Sequence, residues 1–408
     1  MEANNIIAYL APEIPSVSGT FVYKEILALE KKGIKIIPIS VHKITSVELN
    51  DPQVRTLSER TEYLYQQSLI TALFTSLFIF INRPKSYFNT LLMVLADINN
   101  VGIVEIKSWK LLYQFLYSSI VAKAILKNSC QYMHIHFAHF PTQIGMYASA
   151  LTGIPFSFTC HANDIFENKF LLKEKAERAK AVITISEYNY KYLLNLGISV
   201  DKLKVVRCGI DTCDRDFITK SEIKFPLKIG SLGRLIEKKG MDDLILACSK
   251  LHQQNLDFQL EIGGDGPLNN RLQELIKTHD LSSNVVLKGA IPNDRVYDWF
   301  SSLDVFVLAC KQNSQGDRDG IPVVLMEAMY VGIPVISTSI SGIPELIQDG
   351  KSGFLAQPND PESLAQTLND FVQQAHSISE ITKGAREKVL KEFELDSNVE
   401  QLLGIFKA

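Results

Sequence analysis

Two carboxylates stand eight residues apart in GDRDGIPVVLMEAM (residues 316–329), Asp319 before a Gly-Ile-Pro turn and Glu327 inside the apolar run that follows it. A carboxylate among Val, Leu, Met and Ala costs free energy unless a donor satisfies it. The spacing predicts a helix from Pro322 that buries Glu327, where a ribose diol would supply two hydroxyl donors to one carboxylate. Proline is tolerated at the first helical position, and the free amides there, with the helix dipole, suit a phosphate. A carboxylate that caps or bridges within the domain explains Glu327 equally well on this motif alone. The separation of the two acids along a helix exceeds what paired glycosidase carboxylates use, so separate roles are expected.

Basic groups come from an earlier stretch. SLGRLIEKKG (231–240) reads as the end of a strand running into Gly233 and Arg234, with a helix starting after Lys239 and Gly240. A guanidinium and an ammonium at the carboxyl edge of a sheet can neutralise a diphosphate. A solvated surface turn is the plain alternative. GGDGPL (263–268) follows another strand, and its Gly264-Asp265 step allows close backbone approach to a ligand or to the next helix. There is no GxxxxGK, hence no P-loop.

Further candidates lie in the first half. PSVSGTFVYKEI (15–26) places Ser18, Gly19 and Thr20 between a strand and a helix, where backbone amides can meet a phosphate or where Ser18 simply caps the helix. HIHFAHF (134–140) puts His134 and His136 on one face of a strand, but no third ligand at an informative spacing argues for zinc. His161, at the end of the apolar run PFSFTC with Asp164 three residues on, can hydrogen-bond a sugar or rest in loop contacts. The two DRD triplets (214–216 and 317–319) are not read as metal sites, so no metal is expected.

Stepping outward, these residues need sheets to hold them. The second half alternates strand and helix from LKIGSL (227–232) to PVISTS (334–339), the pattern of a parallel, doubly wound α/β sheet. The first half repeats this less cleanly, and residues 50–127 read as mostly helical. DTCDRDFITKSEIKF (211–225) is polar and aperiodic and serves as the expected linker. A length of 408 residues also fits two domains. The bounds expected are 1–210 and 211–389, with the last helix, 390–408, returning to the first domain.

Composition is that of a folded globular protein, 46% hydrophobic and 21% charged. The six cysteines form no CxxC pair, and MEANNIIAYLAPEIP has Glu2 where a leader would be basic, so reduced thiols and a cytoplasmic location are expected. The longest apolar run, LITALFTSLFIFI (69–81), is too short to span a bilayer and reads as a buried or interfacial helix. Residues 1–210 carry an excess of Lys and Arg over acids, which would favour an anionic membrane surface. Nucleic acid is not an expected partner.

Taken in order, GRLIEKKG, GGDGPL, DVFVLAC and DGIPVVLMEAM resemble the donor half of retaining glycosyltransferase family 4, with the GT-B fold of two Rossmann-like domains facing across a cleft. PSVSGTFVYKEILALEKKG, HIHFAHFPTQIGMYASALTGIPFSFTCHANDIF and GDRDGIPVVLMEAM further resemble its bacterial exopolysaccharide and colanic acid branch. The resemblance implies that Arg234 and Lys239 grip the donor diphosphate, that Glu327 holds the nucleotide ribose as the second acid of an E-x7-E pattern, and that Asp319 approaches the transferred sugar. It implies that His161 reaches that sugar and that Gly19 lies by the diphosphate and acceptor. The implied donor set also takes in Gly233, Gly264, Asp265, Ile291, Gly320, Ile321 and Pro322. Asp319 departs from the usual glutamate by one methylene, and Gly19 stands where the branch often has an acid. The implied reaction moves a sugar from a nucleotide donor, a UDP-sugar, to a saccharide or lipid-linked saccharide with retention and without a metal or other cofactor.

Rival classes share some of these residues. The shorter acid at 319 favours a catalytically silent sugar-nucleotide or glycan-binding component of a polysaccharide assembly complex. A GT-B epimerase or nucleotide-sugar hydrolase would share the donor residues. A dehydrogenase is the weakest, because no G-x-G-x-x-G opens a helix.

Overall fold

The computed structural model describes residues 6–16, 19–43, 51–212, 215–218 and 222–407. The chain divides into two compact units, one of residues 1–185, 190–206 and 396–408 and the other of residues 186–189 and 207–395.

Unit 1 holds strands β1 (Ile6–Glu13), β2 (Lys35–His42), β3 (Glu62–Tyr63), β4 (Tyr132–His136), β5 (Phe156–Cys160), β6 (Ala181–Thr184) and β7 (Leu203–Val205). Its helices are α1 (Thr20–Lys31), α2 (Pro52–Arg60), α3 (Leu69–Asn82), α4 (Pro84–Val101), α5 (Ile106–Asn128), α6 (Phe140–Thr152), α7 (Asn163–Phe166), α8 (Leu172–Arg178) and, from Tyr190 onward, α9 (Glu187–Asn195). The strands pair in parallel in the order β3-β2-β1-β4-β5-β6-β7. β4 and β5 are buried along their whole lengths, as a parallel strand covered on both faces must be. The two-residue β3 interrupts the stretch expected to be helical, because Ile39 and Ser40 of β2 still offer an edge on which Glu62 and Tyr63 pair.

Unit 2 holds β8 (Leu227–Leu232), β9 (Phe258–Gly263), β10 (Val285–Gly289), β11 (Val305–Leu308), β12 (Val335–Thr338) and β13 (Phe354–Ala356). Around them lie α10 (Met241–Gln253), α11 (Asn269–Thr278), α12 (Val296–Ser301), α13 (Val323–Tyr330), α14 (Ile343–Leu346), α15 (Pro361–Gln373) and α16 (Ile378–Glu392). The parallel order is β10-β9-β8-β11-β12-β13. Strand order therefore reverses between β8 and β11, and in unit 1 between β1 and β4. Open α/β sheets bind ligands at the carboxyl ends of such neighbouring strands.

The described part of the 211–225 segment packs on unit 2 instead of running free. The Tyr330 hydroxyl donates to the Thr212 carbonyl, Ile218 N donates to Val331 O at 2.8 Å, and the Arg215 guanidinium lies 4.0 Å from the Tyr297 ring centre. A last helix, α17 (Leu395–Lys407), belongs to unit 1 from Asp396 onward, where the Phe406 ring lies tilted with its centre 5.1 Å from those of both Tyr132 and His134 and Lys32 pairs with Glu400 at 2.8 Å.

Candidate functional site

In unit 2 the β8 and β9 loops are zipped together by backbone. Gly233 N donates to Gly263 O at 3.1 Å and Leu235 N to Asp265 O at 2.9 Å, while Gly264 N reaches Gly289 O at 2.7 Å. Gly264 sits at φ +123°, and a Cβ there would lie 1.9 Å from Gly233 O. Only glycine fits, so the GGDGPL motif is required by the backbone itself. Gly240, at φ +64°, brings the start of α10 equally close to Ala309 O beyond β11. These contacts make one continuous shelf along the strand ends.

Onto that shelf the reversal point delivers charge from two loops. Lys239 Nζ lies 2.6 Å from Asp319 Oδ2, and Lys238 Nζ lies 2.8 Å from Asp317 and 3.5 Å from Asp319. Both carboxylates of the DRD triplet at 317–319 thus already have lysine partners. Burial by itself would raise the Asp319 carboxyl, but Lys239 and then Lys238 outweigh it and hold it below the ordinary value. Burial would likewise lower Lys239, and Asp319 reverses that shift. The positive charge of Arg234, an exposed residue two positions past the end of β8, works against that rise. Among the described residues Arg234 forms no ion pair. Lys311, at the end of β11, binds Asp242 at 2.8 Å and Asp243 at 3.0 Å and so ties this loop to the start of α10.

Gly320 and Ile321 are buried in the turn before α13, and Pro322 occupies the capping position, one residue earlier than the helix itself. Glu327 is half-buried, not enclosed as its apolar neighbours suggested, because α13 is short and presents that side toward Tyr297. Burial, and after it the charge of Glu327, pushes the Tyr297 phenol up to about 12. Asp265 is exposed and accepts from Gly266 N at 2.7 Å, and Ile291 approaches the backbone of Gly263. Arg234, Lys239, Asp319 and the Gly264 shelf are therefore gathered at one sheet edge. Lys238, Asp317 and Lys311 complete the cluster; Asp317 was weighed from sequence only as part of the DRD triplet, and the two lysines were not singled out, since Lys238 hides in the run Glu-Lys-Lys, where nothing distinguishes one lysine from the next.

Unit 1 has its own cluster, at its own reversal point. His136 Nδ1 lies 3.0 Å from His161 Nε2, and His136 Nε2 lies 3.1 Å from Glu25 Oε1, to which Tyr9 also donates. A carboxylate at Glu25 sets His136 to donate from Nε2 and accept at Nδ1, so His161 donates from Nε2 and keeps Nδ1 as its acceptor nitrogen. Burial, with His136 and His139, holds the His161 ring well below its ordinary value and neutral at pH 7. Asp164 spends its oxygens on the backbone, accepting from Ala138 N at 2.7 Å and His161 N at 3.0 Å. The buried Lys175 donates to Ala138 O and Phe170 O at 2.8 Å, clamping the same turn. Gly19 stands at the cap of α1 and donates to Ser16 Oγ at 3.2 Å, while Ser18 lies outside the described residues.

Glu25, His134 and His136 bring ligand-type atoms within 4.8 Å of one another. Yet the two ring nitrogens of His134 are 2.9 Å from Ser157 Oγ and 3.1 Å from Thr159 Oγ1. Those of His136 face His161 and Glu25. The cluster reads as a hydrogen-bonded chain.

Residues 214–388 match the model of glycosyl transferases group 1, and residues 83–213 match that of glycosyltransferase family 4. The chain belongs to glycosyltransferase family 4. Among the relatives of this family 4 chain, the Salmonella typhimurium protein named WcaL for colanic acid biosynthesis is 37% identical over 56% of this chain and 57% of its own length. The amylovoran biosynthesis glycosyltransferase AmsK of Erwinia amylovora is 34% identical over 60% and 62%. The chain thus spans less than two thirds of the length of either relative. Anabaena HepE, solved with UDP and glucose, superposes with a TM-score of 0.70 at 16% identity, covering 98% of each chain. A glycosyltransferase from Rickettsia africae gives 0.68 at 18% identity, covering 99% and 98%. At such identities the likeness is one of fold: the family 4 chain has two parallel-sheet, Rossmann-like α/β domains, and its structural neighbours are GT-B glycosyltransferases.

Proposed function

We propose that this protein is a glycosyltransferase that moves a sugar from a nucleotide donor to a saccharide or lipid-linked saccharide in exopolysaccharide biosynthesis, with retention of configuration and without a metal. The observation that carries the reading is the convergence of Arg234, Lys239 and Asp319 on the Gly264 shelf where strand order reverses, with Glu327 on the adjoining helix. The diphosphate would lie against Arg234, Lys239 and the amides that open α13, the ribose against Glu327. The bond from the anomeric carbon to the donor phosphate breaks and one to the acceptor hydroxyl forms. The hydroxyl proton passes to the departing phosphate, and charge accumulating on that leaving group is what the basic residues stabilise. His161, neutral and fixed in one tautomer, would accept a hydrogen bond from the sugar at Nδ1.

UDP is the proposed base, in keeping with the UDP held by Anabaena HepE. GDP is the competitor, since a Mycolicibacterium smegmatis relative 31% identical over 35% of this chain is named as GDP-mannose-dependent. Work at the inner face of the cell membrane belongs to the same reading. A thermal-shift screen against UDP, GDP, ADP and their sugar conjugates tests it, because binding raises the melting temperature by mass action. A shift with one nucleotide that disappears in Glu327→Ala is expected. No shift with any of them sinks the donor assignment.

One observation favours a second reading. Asp319 is bound to Lys239 and Lys238 instead of standing clear of them, as a silent nucleotide-binding component could tolerate. Acceptor-dependent release of nucleoside diphosphate would dismiss it, and binding without turnover would support it.

A further inference from the structure

Helix α3 has its polarity reversed for a protein in water. Its packed seam is Ala72, Thr75, Ser76 and Ile79, with Ser76 Oγ 2.7 Å from the Tyr87 hydroxyl. Its solvent side carries Leu69, Leu73, Leu77, Phe78 and Phe80, with Phe74 69% and Ile81 67% exposed. Helices on globular proteins place the small and polar residues outward and the large apolar ones inward. The opposite arrangement suits a lipid environment, where tails are as apolar as leucine and helices pack through small and hydroxylated residues. Exposed apolar side chains recur on the next elements: Phe88, Leu92 and Leu95 of α4, Ile103 and Val104 in the turn before α5, and Ile106 and Trp109 in its first turn. Single exposed apolar residues are ordinary on a water-facing surface, whereas so many large ones on one helix face and its neighbours mark an interaction surface.

We propose that α3, with the exposed faces of α4 and the first turn of α5, is a plate that embeds in one leaflet of a lipid bilayer. Its charge fits that occupant. Between Leu69 and Val104 the only charged residues are Arg83, Lys85 and Asp97. Asp97 is fully buried beneath Arg178, which binds it through two nitrogens at 2.7 Å. What remains outside is basic, and Lys107 and Lys110 extend it along α5, with Glu105 as the one exposed acid beside them. Basic side chains at the rim of an apolar face meet anionic headgroups. A two-fold dimer through the same face would set the lysines of both copies against each other. No helix among the described residues is long and apolar enough to cross a membrane. At 14 residues α3 is about 21 Å long against the roughly 30 Å hydrocarbon core, so it lies in the plane. This deepens the membrane part of the reading above and is independent of the donor site.

The test is sedimentation of the full chain with vesicles of phosphatidylcholine alone and of phosphatidylcholine with phosphatidylglycerol. Binding to both is expected, strengthened by the anionic lipid and retained at about 1 M salt, where charge attraction is screened. A triple variant, Phe74→Ser, Leu77→Ser and Phe78→Ser, should partition at least about tenfold less while melting no lower than the parent, since those side chains support no core. In Trp299→Phe, which leaves Trp109 as the only tryptophan, lipid brominated on its chains should quench the fluorescence. Protein that stays in the supernatant overturns the proposal, as does binding that needs phosphatidylglycerol and vanishes with salt. So does a dimer in solution that the triple variant dissociates, which would make the face an interface between copies. Thermal shift with nucleotide, read on the same variants, reports on unit 2 and keeps failure of the plate separate from failure of the donor site.

Discussion

On the donor-site reading proposed above, Asp319 matters most because it holds the Lys239 ammonium that a diphosphate would claim. Its carboxylate is the competitor that a bound nucleotide must displace or share. In Asp319→Asn, calorimetry should show UDP or GDP binding several-fold tighter, since removing one negative charge near the site is worth about 1 kcal/mol. Unchanged or weaker binding would contradict the ion-pair account. The variant should also lose about 1–2 kcal/mol of stability at pH 7, the worth of a hydrogen bond to a charged group. The pH dependence has two edges. The Asp319 carboxyl is held below its unfolded value, so its contribution is present above about pH 4 and fades as pH falls through the folded value. The Lys239 ammonium is held above its unfolded value, so its contribution is present below about pH 10.5 and fades as pH rises through the folded one. Between those edges, denaturation curves of parent and variant should stay a constant distance apart. Arg234, Lys239 and Asp319 could be picked out from the chain alone because glycines and strand ends flank them. The partnership of Lys238 with Asp317 and the chain from Glu25 through His136 to His161 could not, since both depend on loops and a helix meeting across long sequence separations.

At the scale of elements, the shelf in unit 2 rests on loops that approach more closely than any side chain permits. Gly264→Ala should cost about 2–4 kcal/mol, adding overpacking to left-handed strain, and weaken nucleotide binding along with it. Gly289→Ala is the control: its φ is +71°, but nothing lies within 4 Å of the added methyl. It should cost only about 1–2 kcal/mol, and equal losses in both would show that backbone conformation, and not contact, decides. The strands of unit 2 were legible because a parallel sheet covered on both faces leaves uninterrupted apolar runs such as DVFVLAC. The α3 stretch was legible as an apolar helix, but not its orientation: composition reports how much apolar surface exists, and only packing tells which side is covered. β3 is too short to leave a pattern.

At the scale of the molecule, the closing helix is what completes unit 1. Phe406 packs on Tyr132 and His134 of β4, and Val399 and Leu402 are buried with it. Phe406→Ala should cost about 3 kcal/mol, and scanning calorimetry should show the transition of unit 1 moving down while that of unit 2 stays. Glu400→Gln, which removes a pair whose acid is 70% exposed, should change stability by less than about 1 kcal/mol. The return of residues 396–407 to unit 1 also sets a timetable for synthesis. Everything from Arg207 to Leu395 must leave the ribosome before the first unit receives its last helix, roughly 10–40 s at the usual pace of translation. Throughout that interval β4 lacks its cover of Phe406, while the apolar face of α3 has already emerged. If the α3 face is the lipid plate proposed above, it is therefore exposed for the whole of that interval, and a bilayer or a chaperone could cover it before unit 1 is complete.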